Sequence, residues 1–105
     1  MTLEELYAII EARRAGDPAT SYVARSFAKG RAKIAQKVGE EAVETVIAGV
    51  ADDRDGIIAE SADLLFHLSI LWADVGIAPA DVLAALEKRR GISGIEEKAN
   101  RQESC

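Results

Sequence analysis

Two pairs of carboxylates flank a short polar turn in the stretch EEAVETVIAGVADDRDGIIAESAD, which covers residues 40–63. The pairs are Glu41-x-x-Glu44 and Glu60-x-x-Asp63. Positions three apart lie about 60° apart around an α-helix, so each pair projects from one helix face. The break at residues 52–56 is too short for anything except a turn between two antiparallel helices. At about 1.5 Å rise per residue, all four acids then lie within roughly 7.5 Å of one another along the hairpin.

The second acidic pair lies on a helix that is apolar over most of its circumference. On a helical wheel the apolar residues of 57–75 leave only a narrow polar stripe. That stripe consists of Glu60, Asp63, His67 and Asp74. A helix of this kind is buried, and carboxylates that enter an interior are paired or bind a metal. We therefore favour a cation site over a solvated acidic face, with four ligands: Glu41, Glu44, Glu60 and Asp63.

The ligand types indicate which cation the site would take. Carboxylate oxygens without a thiolate suit Mg²⁺ or Mn²⁺, whereas zinc sites favour His and Cys. A ferritin-like di-iron bundle would carry Glu-x-x-His on its helices, and this chain lacks that motif. The single histidine, His67, lies about one turn beyond the acid pairs. We expect it to hydrogen-bond a carboxylate or to pack in the bundle rather than to bind the metal.

Length and composition predict one all-α domain over residues 1–105, a small bundle of about four helices. Nearly half the residues (49%) are hydrophobic, with two prolines, and no run alternates long enough for a strand. The chain start lacks a basic region, and no apolar stretch reaches about 18 residues without Asp, Glu or His. A cytoplasmic protein with no membrane partner is therefore expected.

Capping and breaking residues predict where the helices begin and end. The first helix begins with the capping box Thr2-x-x-Glu5 and stops at residues 16–18. The others cover residues 31–51, residues 54–75 with Asp52 or Asp53 as cap and Gly76 as stop, and Pro79 to Gly91. Residues 21–30 fit either a short helix or a loop. The tail, residues 92–105, has room for one helical turn around residues 96–100.

The net charge of −5 argues against nucleic acid as a partner, but basic residues cluster in one segment. Residues 19–39 contain five basic side chains and no acid. Lys33 and Lys37 share a helix face with Glu40 and Glu44. Such spacings commonly form helix-stabilising pairs. Beside a cation site, however, they are what a polyphosphate needs, because ammonium groups neutralise the charge that the metal leaves.

The acids in Glu40-Glu41-x-x-Glu44 and Glu60-x-x-Asp63 resemble those of the MazG-type all-α nucleotide pyrophosphohydrolases, which hold Mg²⁺. Four stretches also resemble the phosphoribosyl-ATP pyrophosphohydrolase family, and the likeness runs from Leu3 to Arg101. They are Ser21-Tyr22, Lys37-Val38-Gly39-Glu40-Glu41, Ala62-Asp63-Leu64-Leu65-Phe66-His67 and Ser93-Gly94-Ile95-Glu96-Glu97-Lys98. Acid pairs alone occur on many helices, whereas the combination with these blocks is specific.

The resemblance implies hydrolysis of phosphoribosyl-ATP to phosphoribosyl-AMP and pyrophosphate, the second step of histidine biosynthesis. It implies water as nucleophile and Mg²⁺ as cofactor, with Mn²⁺ as a possible substitute. Under this interpretation the four acids of the two pairs hold the metal, and Glu40 binds a further ion, orients the water or pairs with Lys37. Lys33 and Lys37 hold the triphosphate, while Arg25 and Lys29 reach the ribose phosphate. Tyr22 either packs in the core or stacks on a substrate ring.

Two other functions are compatible with the same residues. A house-cleaning nucleoside triphosphate pyrophosphatase of the same superfamily would share the metal site and differ in the base and sugar pocket. A non-catalytic helical dimerisation or metal-sensing module would use the acids to bind a cation for structure. Substrate turnover separates these interpretations.

The excess of apolar surface on the helix over residues 54–75 predicts self-association. That surface is larger than three short neighbouring helices can cover, so we expect a homodimer. Its interface would bury Leu, Phe or Trp side chains of this helix or the next one. The MazG resemblance also favours a dimer.

Overall fold

A computed structural model of the chain describes residues 1–91 and Lys98 and contains five α-helices in that part. They are α1 (Leu3–Arg13), α2 (Tyr22–Lys29), α3 (Arg31–Val50), α4 (Arg54–Val75) and α5 (Pro79–Glu87). The prediction of a small all-α bundle is confirmed. The helical turn predicted around residues 96–100 lies outside the described residues, apart from Lys98.

Local capping explains where most of the helices begin and end. Thr2 and Glu5 form the predicted capping box of α1. Segment 21–30, which the sequence left open between helix and loop, contains α2, and the Ser21 hydroxyl caps it by accepting from the Ala24 amide at 3.2 Å. Asp53 caps α4 by accepting from the Gly56 amide at 3.1 Å, and Gly76 ends α4 in the left-handed conformation (φ 78°) that glycine adopts without strain.

The prediction that the last helix extends to Gly91 was wrong. Helix α5 ends at Glu87, and a turn covers residues 88–91. The Arg89 and Arg90 amides donate to the carbonyls three residues earlier, both at 3.0 Å, so the backbone tightens before the glycine is reached. Arg90 also forms a two-pronged ion pair with Glu87 at 2.7 and 2.9 Å, which satisfies both side chains within this turn.

Helix α4 is the centre of the bundle, but its two ends differ in burial. The core contains Ile10, Val23, Ile34, Ile70 and Ala73. The helix was predicted to be buried because it is apolar nearly all round, but its buried residues all lie in its second half. Ile70 is 1% exposed whereas Ile58 is 57% exposed, because α1 and α2 contact α4 at residues such as Phe66, His67 and Ala73 and leave its first half uncovered.

Arginine side chains attach the end of α4 to its neighbours. The Arg14 guanidinium donates to the Ala73 carbonyl at 2.9 Å and lies 4.4 Å from the Phe27 ring centre. The Arg31 Nε donates to the Asp74 carboxylate at 2.7 Å. Among the described residues, α4 is the one helix long and apolar enough to match a membrane span, a test that core helices also pass. These contacts place it at the bundle core.

Candidate active site

The α3–α4 hairpin brings acids of the two predicted pairs together. The two helices pack against each other along their length, and Asp52 adopts a positive φ of 55° in the turn between them. Glu41, Glu60 and Asp63 each offer a ligand atom, and these atoms lie within 4.8 Å of one another. Each pair therefore contributes at least one member to a single cluster of carboxylates.

Two oxygens of this cluster fit a cation site. Glu41 is only 5% exposed, and its Oε2 atom and that of Glu60 are buried without a hydrogen-bond partner within the described part of the chain. A buried carboxylate oxygen that lacks a partner is costly, and a divalent cation would supply the missing interaction. The donor set is oxygen only, which suits Mg²⁺ or Mn²⁺.

Glu44 lies at the edge of the cluster rather than among the three converging ligands. Its carboxylate still interacts with that of Glu60. The proximity of Glu44, burial and the proximity of Glu41 together raise the pKa of Glu60 to about 7. Burial also raises the pKa of Glu41, but its interactions with Glu60 and with the Lys37 ammonium outweigh burial, so its pKa lies below the ordinary value. When no cation is bound, Glu41 is therefore ionised near neutral pH, whereas Glu60 is partly protonated.

Lys37 joins the acid cluster to the neighbouring basic segment. Its Nζ atom lies 3.4 Å from Glu41 Oε1 and 3.4 Å from Glu40 Oε2. The hydrogen bonds to Glu40 and then Glu41 raise the pKa of Lys37. Hydrogen bonds from Gln36, at 3.0 Å, and from Lys37 lower the pKa of Glu40. Both side chains are thus held in their charged forms at the border between acids and bases.

A cleft of about 590 Å³ lies against this border. Its lining residues are Tyr22, Ser26, Lys29, Lys33, Ile34, Gln36, Lys37 and Glu40. Three of the four basic residues predicted to bind substrate line this cleft, and Arg25 does not. Its guanidinium donates to the Pro18 and Ala19 carbonyls at 3.0 and 3.3 Å. Three lysines therefore line the cleft, and Lys37 connects it to the acid cluster.

Ser26 and Gln36 are cleft residues that the sequence prediction missed. Together with Tyr22 they follow the three- to four-residue spacing of the lysines along α2 and α3. The spacing is visible in the sequence, but it crosses from one helix to another. Gly30, with a φ of 93°, separates α2 from α3. Tyr22 is 47% exposed, so the core packing that was one alternative for it is not observed.

His67 hydrogen-bonds a backbone carbonyl and a tyrosine hydroxyl rather than a carboxylate side chain. Its Nδ1 lies 2.7 Å from the Asp63 backbone carbonyl, and its Nε2 lies 3.0 Å from the Tyr22 hydroxyl. Both ring nitrogens thus have partners, and the imidazole packs in the bundle with 7% exposure. Packing in the bundle was one of the two alternatives that the sequence left open for His67.

The fold and this site define a class of protein. An all-α bundle in which opposed helical carboxylates adjoin a lysine-lined cleft is the arrangement expected of a MazG-type nucleotide pyrophosphohydrolase. Comparison with known proteins narrows the class. The family described as "Phosphoribosyl-ATP pyrophosphohydrolase" matches residues 3–90. The chain belongs to the phosphoribosyl-ATP pyrophosphohydrolase family.

Individual relatives agree with this assignment over nearly their full length. A phosphoribosyl-ATP pyrophosphatase of Rhizorhabdus wittichii is 63% identical over 95% of this chain and 94% of the relative. Proteins of the same name from Paramagnetospirillum magneticum and Azospirillum brasilense are each 57% identical, over 94% and 95% of this chain and 91% and 90% of the relatives. The family resemblance inferred from the sequence is thereby confirmed.

Proposed function

We propose that this chain hydrolyses phosphoribosyl-ATP between its α and β phosphates, giving phosphoribosyl-AMP and pyrophosphate, as the second step of histidine biosynthesis. The observation that carries the proposal is the pair of buried carboxylate oxygens without partners beside a cleft lined by three lysines. Relatives that are 50–63% identical are named phosphoribosyl-ATP pyrophosphatases. Water is the second reactant, and the enzyme acts on a free nucleotide in the cytoplasm.

The acid cluster would hold Mg²⁺ in this enzyme, with Mn²⁺ as a substitute. Glu41, Glu60 and Asp63 are the ligands whose oxygens converge, and Glu44 adjoins them as a fourth acid. When bound, the cation supplies charge neutralisation and polarisation of phosphoryl oxygens. Glu60 would give up the proton it carries near pH 7 on becoming a ligand, since a cation and a proton compete for the same oxygens.

The lysines bind the polyphosphate part of the substrate. Lys33 and Lys37 line the cleft. Lys37 is held 3.4 Å from Glu41, so its ammonium group would lie between the acids and phosphates bound in the cleft. Their positive charges balance the negative charge that grows on the departing pyrophosphate. Lys29 extends the same row towards the phosphate on the ribose, and Arg25 remains a prediction for that role.

Glu40 has the position and charge to orient the attacking water. It lines the cleft, and the hydrogen bonds from Gln36 and Lys37 hold it in its ionised form. A carboxylate fixed in this way can accept a hydrogen bond from water at the cleft surface. Lys37 and Gln36 therefore act on Glu40 by fixing its carboxylate.

The assembly we propose is a homodimer, and a stripe on α3 supports it. The stripe comprises Val43, Val46, Ile47 and Val50, and each of these residues is more than half exposed. Their spacing of three and four residues places them on one helix face. A second copy of the chain can bury such a stripe against itself, because a two-fold axis pairs identical surfaces. The exposed Leu65, Leu83 and Leu86 extend the apolar surface on α4 and α5.

A charge in this stripe tests the dimer. Ile47→Glu should give a folded monomer in sedimentation experiments, whereas Ala8→Glu, which adds the same charge to the exposed face of α1, should leave the dimer intact. On α4, Leu68 is half-buried, and Leu68→Glu tests whether that helix also contributes to the interface. Leu71 packs against the core, so Leu71→Glu should instead unfold the chain. A wild-type monomer at micromolar concentration would contradict the proposed dimer.

The substrate is tested by measuring pyrophosphate or phosphate release from phosphoribosyl-ATP, ATP, dCTP and dUTP. We expect phosphoribosyl-ATP to give the highest kcat/KM and EDTA to abolish turnover. Lys29→Ala should lower kcat/KM for phosphoribosyl-ATP more than kcat/KM for ATP, because ATP lacks the phosphoribosyl group whose phosphate Lys29 would bind. Equal or faster turnover of dCTP, dUTP or ATP would favour a house-cleaning pyrophosphatase, and no turnover of any would favour a non-catalytic module.

A further inference from the structure

Tyr22 occupies an exposed position between two clefts. It is the first residue of α2, directly after the capping Ser21, and its side chain lines the lysine-bearing cleft. It also lines a second, shallower cleft of about 480 Å³ that includes Arg13, Thr20 and Phe66. Nearly half of this large aromatic residue is exposed to solvent. Packing in the core therefore does not account for its position.

Hydrogen bonding at His67 fixes the direction of the Tyr22 hydroxyl. The Asp63 carbonyl can only accept a hydrogen bond, so His67 Nδ1, 2.7 Å away, must donate. In the neutral imidazole Nε2 is then the acceptor, and the Tyr22 hydroxyl donates to it across 3.0 Å. His67 is buried, which leaves the ring little freedom to rotate. Tyr22 is thus joined through two hydrogen bonds to the backbone of a residue in the acid cluster.

Aromatic contacts hold the same side chains from the other direction. The Phe66 and His67 rings meet edge to face with centres 5.3 Å apart. Tyr22 contacts both of them, with ring centres 5.9 Å from His67 and 6.1 Å from Phe66. The Ser26 hydroxyl donates to the Tyr22 backbone carbonyl at 2.9 Å. An exposed ring is therefore held in one orientation before any ligand arrives.

We propose that Tyr22 binds the adenine ring of the nucleotide while the lysines hold its phosphates, and that His67 is the positioning residue that orients Tyr22. The inference rests on the proposed function, because it assigns the base contact of that same site. A nucleotide held at the acid cluster and Lys37 must extend its base along the cleft, and Tyr22 is the aromatic residue lining it. Aromatic side chains stack on any base, because every base has a π-face. A ring that is already oriented loses little conformational entropy on binding.

Calorimetric titration with two ligands separates a base contact from a structural role. The ligands are phosphoribosyl-AMP, which has the ring, and inorganic tripolyphosphate, which has none, each with Mg²⁺ present. Tyr22→Ala should weaken phosphoribosyl-AMP binding by about 10-fold or more and change tripolyphosphate binding by less than about 2-fold. The assignment would be overturned if Tyr22→Ala weakened the binding of both ligands equally or the binding of neither. Tyr22→Phe, which keeps the ring, should weaken phosphoribosyl-AMP binding by only about 3-fold.

The role of His67 is tested by a double-mutant cycle on KM for phosphoribosyl-ATP. Tyr22→Phe removes the hydroxyl and His67→Phe removes its acceptor, so each should raise KM by about 3-fold, a typical cost of one neutral hydrogen bond. The double variant should be no worse than either single one, since both remove the same bond. His67→Gln, which restores an acceptor, should return KM towards the wild-type value. The positioning role would be refuted if the two single effects on KM multiplied in the double variant, or if Tyr22→Phe left KM unchanged.

The inference and the proposed function can fail separately. A wild-type chain that binds phosphoribosyl-AMP but never hydrolyses phosphoribosyl-ATP would refute the function. The comparison of phosphoribosyl-AMP with tripolyphosphate would still decide the role of Tyr22, because it measures binding alone. A chain that hydrolyses phosphoribosyl-ATP but shows no difference between these ligands in Tyr22→Ala would refute the inference and keep the function.

Discussion

The two halves of α4 carry the same kind of sequence and do different things. In the second half the buried residues are His67, Ser69, Ile70, Trp72 and Ala73, and both Arg14 and Arg31 bind its end. In the first half Glu60 and Asp63 face Glu41, while Ile58 is more than half exposed. One half stabilises the fold and the other holds like charges together. The packed half therefore provides stability that the acid cluster does not.

The acid cluster is costly for the same reason that it is useful. Carboxylates that approach within 4.8 Å repel one another, and buried oxygens without partners lose their hydration. A divalent cation reverses both effects, so the free energy of unfolding should rise on metal binding. Variants in the second half of α4 should therefore change mainly stability, and variants in the first half mainly activity.

The largest expected effect is on stability, at Ile70. Ile70→Ala leaves a cavity in the core and should lower the free energy of unfolding by about 3 kcal/mol. The matched control Ile58→Ala removes the same atoms from an exposed position and should stay within about 0.5 kcal/mol of the wild type. Urea unfolding measures both. Equal losses at the two positions would show that the first half of α4 is as tightly packed as the second.

The next effect is on activity, at Asp63. Asp63→Asn keeps the size of the side chain but removes a ligand charge, so kcat/KM should fall at least about 100-fold, and Glu44→Gln should behave alike. The thermal midpoint should stay unchanged or rise, because one of several mutually repelling charges is gone. Steady-state kinetics and thermal melts record the two quantities. Near-normal turnover by Asp63→Asn at saturating substrate would rule out this site.

The matched control for Asp63 is Asp74, an aspartate at the other end of the same helix. Its carboxylate binds the Arg31 guanidinium at 2.7 Å and lies 3.9 Å from that of Arg14. Asp74→Asn should lower the free energy of unfolding by up to about 1 kcal/mol and change kcat/KM by less than about 2-fold. Replacing aspartate by asparagine should therefore lower activity at position 63 and stability at position 74. A large loss of activity in Asp74→Asn would contradict the separation.

Helical spacing made the hairpin and its acid cluster predictable from the sequence. Angle and rise per residue are local properties, so the positions of Glu41, Glu60 and Asp63 follow from counting residues. Glu44 converges less closely than predicted, since a helical wheel gives directions but not the rotamers that decide which oxygens meet. A helical wheel also shows which α4 residues are apolar, but it does not show how much of the helix α1 and α2 cover.

Contacts between distant parts of the chain were not predictable in the same way. The bond between Tyr22 and His67 joins residues 45 positions apart, and it depends on how α2 packs on α4. Arg25 belongs to a basic cluster in the sequence, yet it hydrogen-bonds loop carbonyls, because the loop before α2 folds back towards it. A charge count cannot distinguish a side chain that faces a ligand from one that holds a turn.

The smallest expected effect is a pH dependence that comes from Glu60. Its pKa is raised to about 7 in the folded, cation-free chain, against an ordinary value near 4.5. Between these values the folded chain keeps a proton that the unfolded chain releases, so the thermal midpoint should fall as pH rises from about 5 to 7.5 and then level off. The lowered pKa of Glu41 acts below pH 4.5, and the raised pKa of Lys37 acts in the alkaline range. Neither produces a slope in this window.

Mg²⁺ and one substitution sharpen this test. Because the cation needs the ionised carboxylate, the stabilisation that saturating Mg²⁺ gives should grow over the same pH range in which the cation-free chain weakens. Glu60→Gln should flatten the slope of the cation-free chain between pH 5 and 7.5, whereas Glu87→Gln, at an exposed pair on α5, should leave it unchanged. Thermal melts with and without EDTA measure both. A slope that persists in Glu60→Gln would assign the titration to another group and would weaken the view that the first half of α4 holds its acids against their own repulsion.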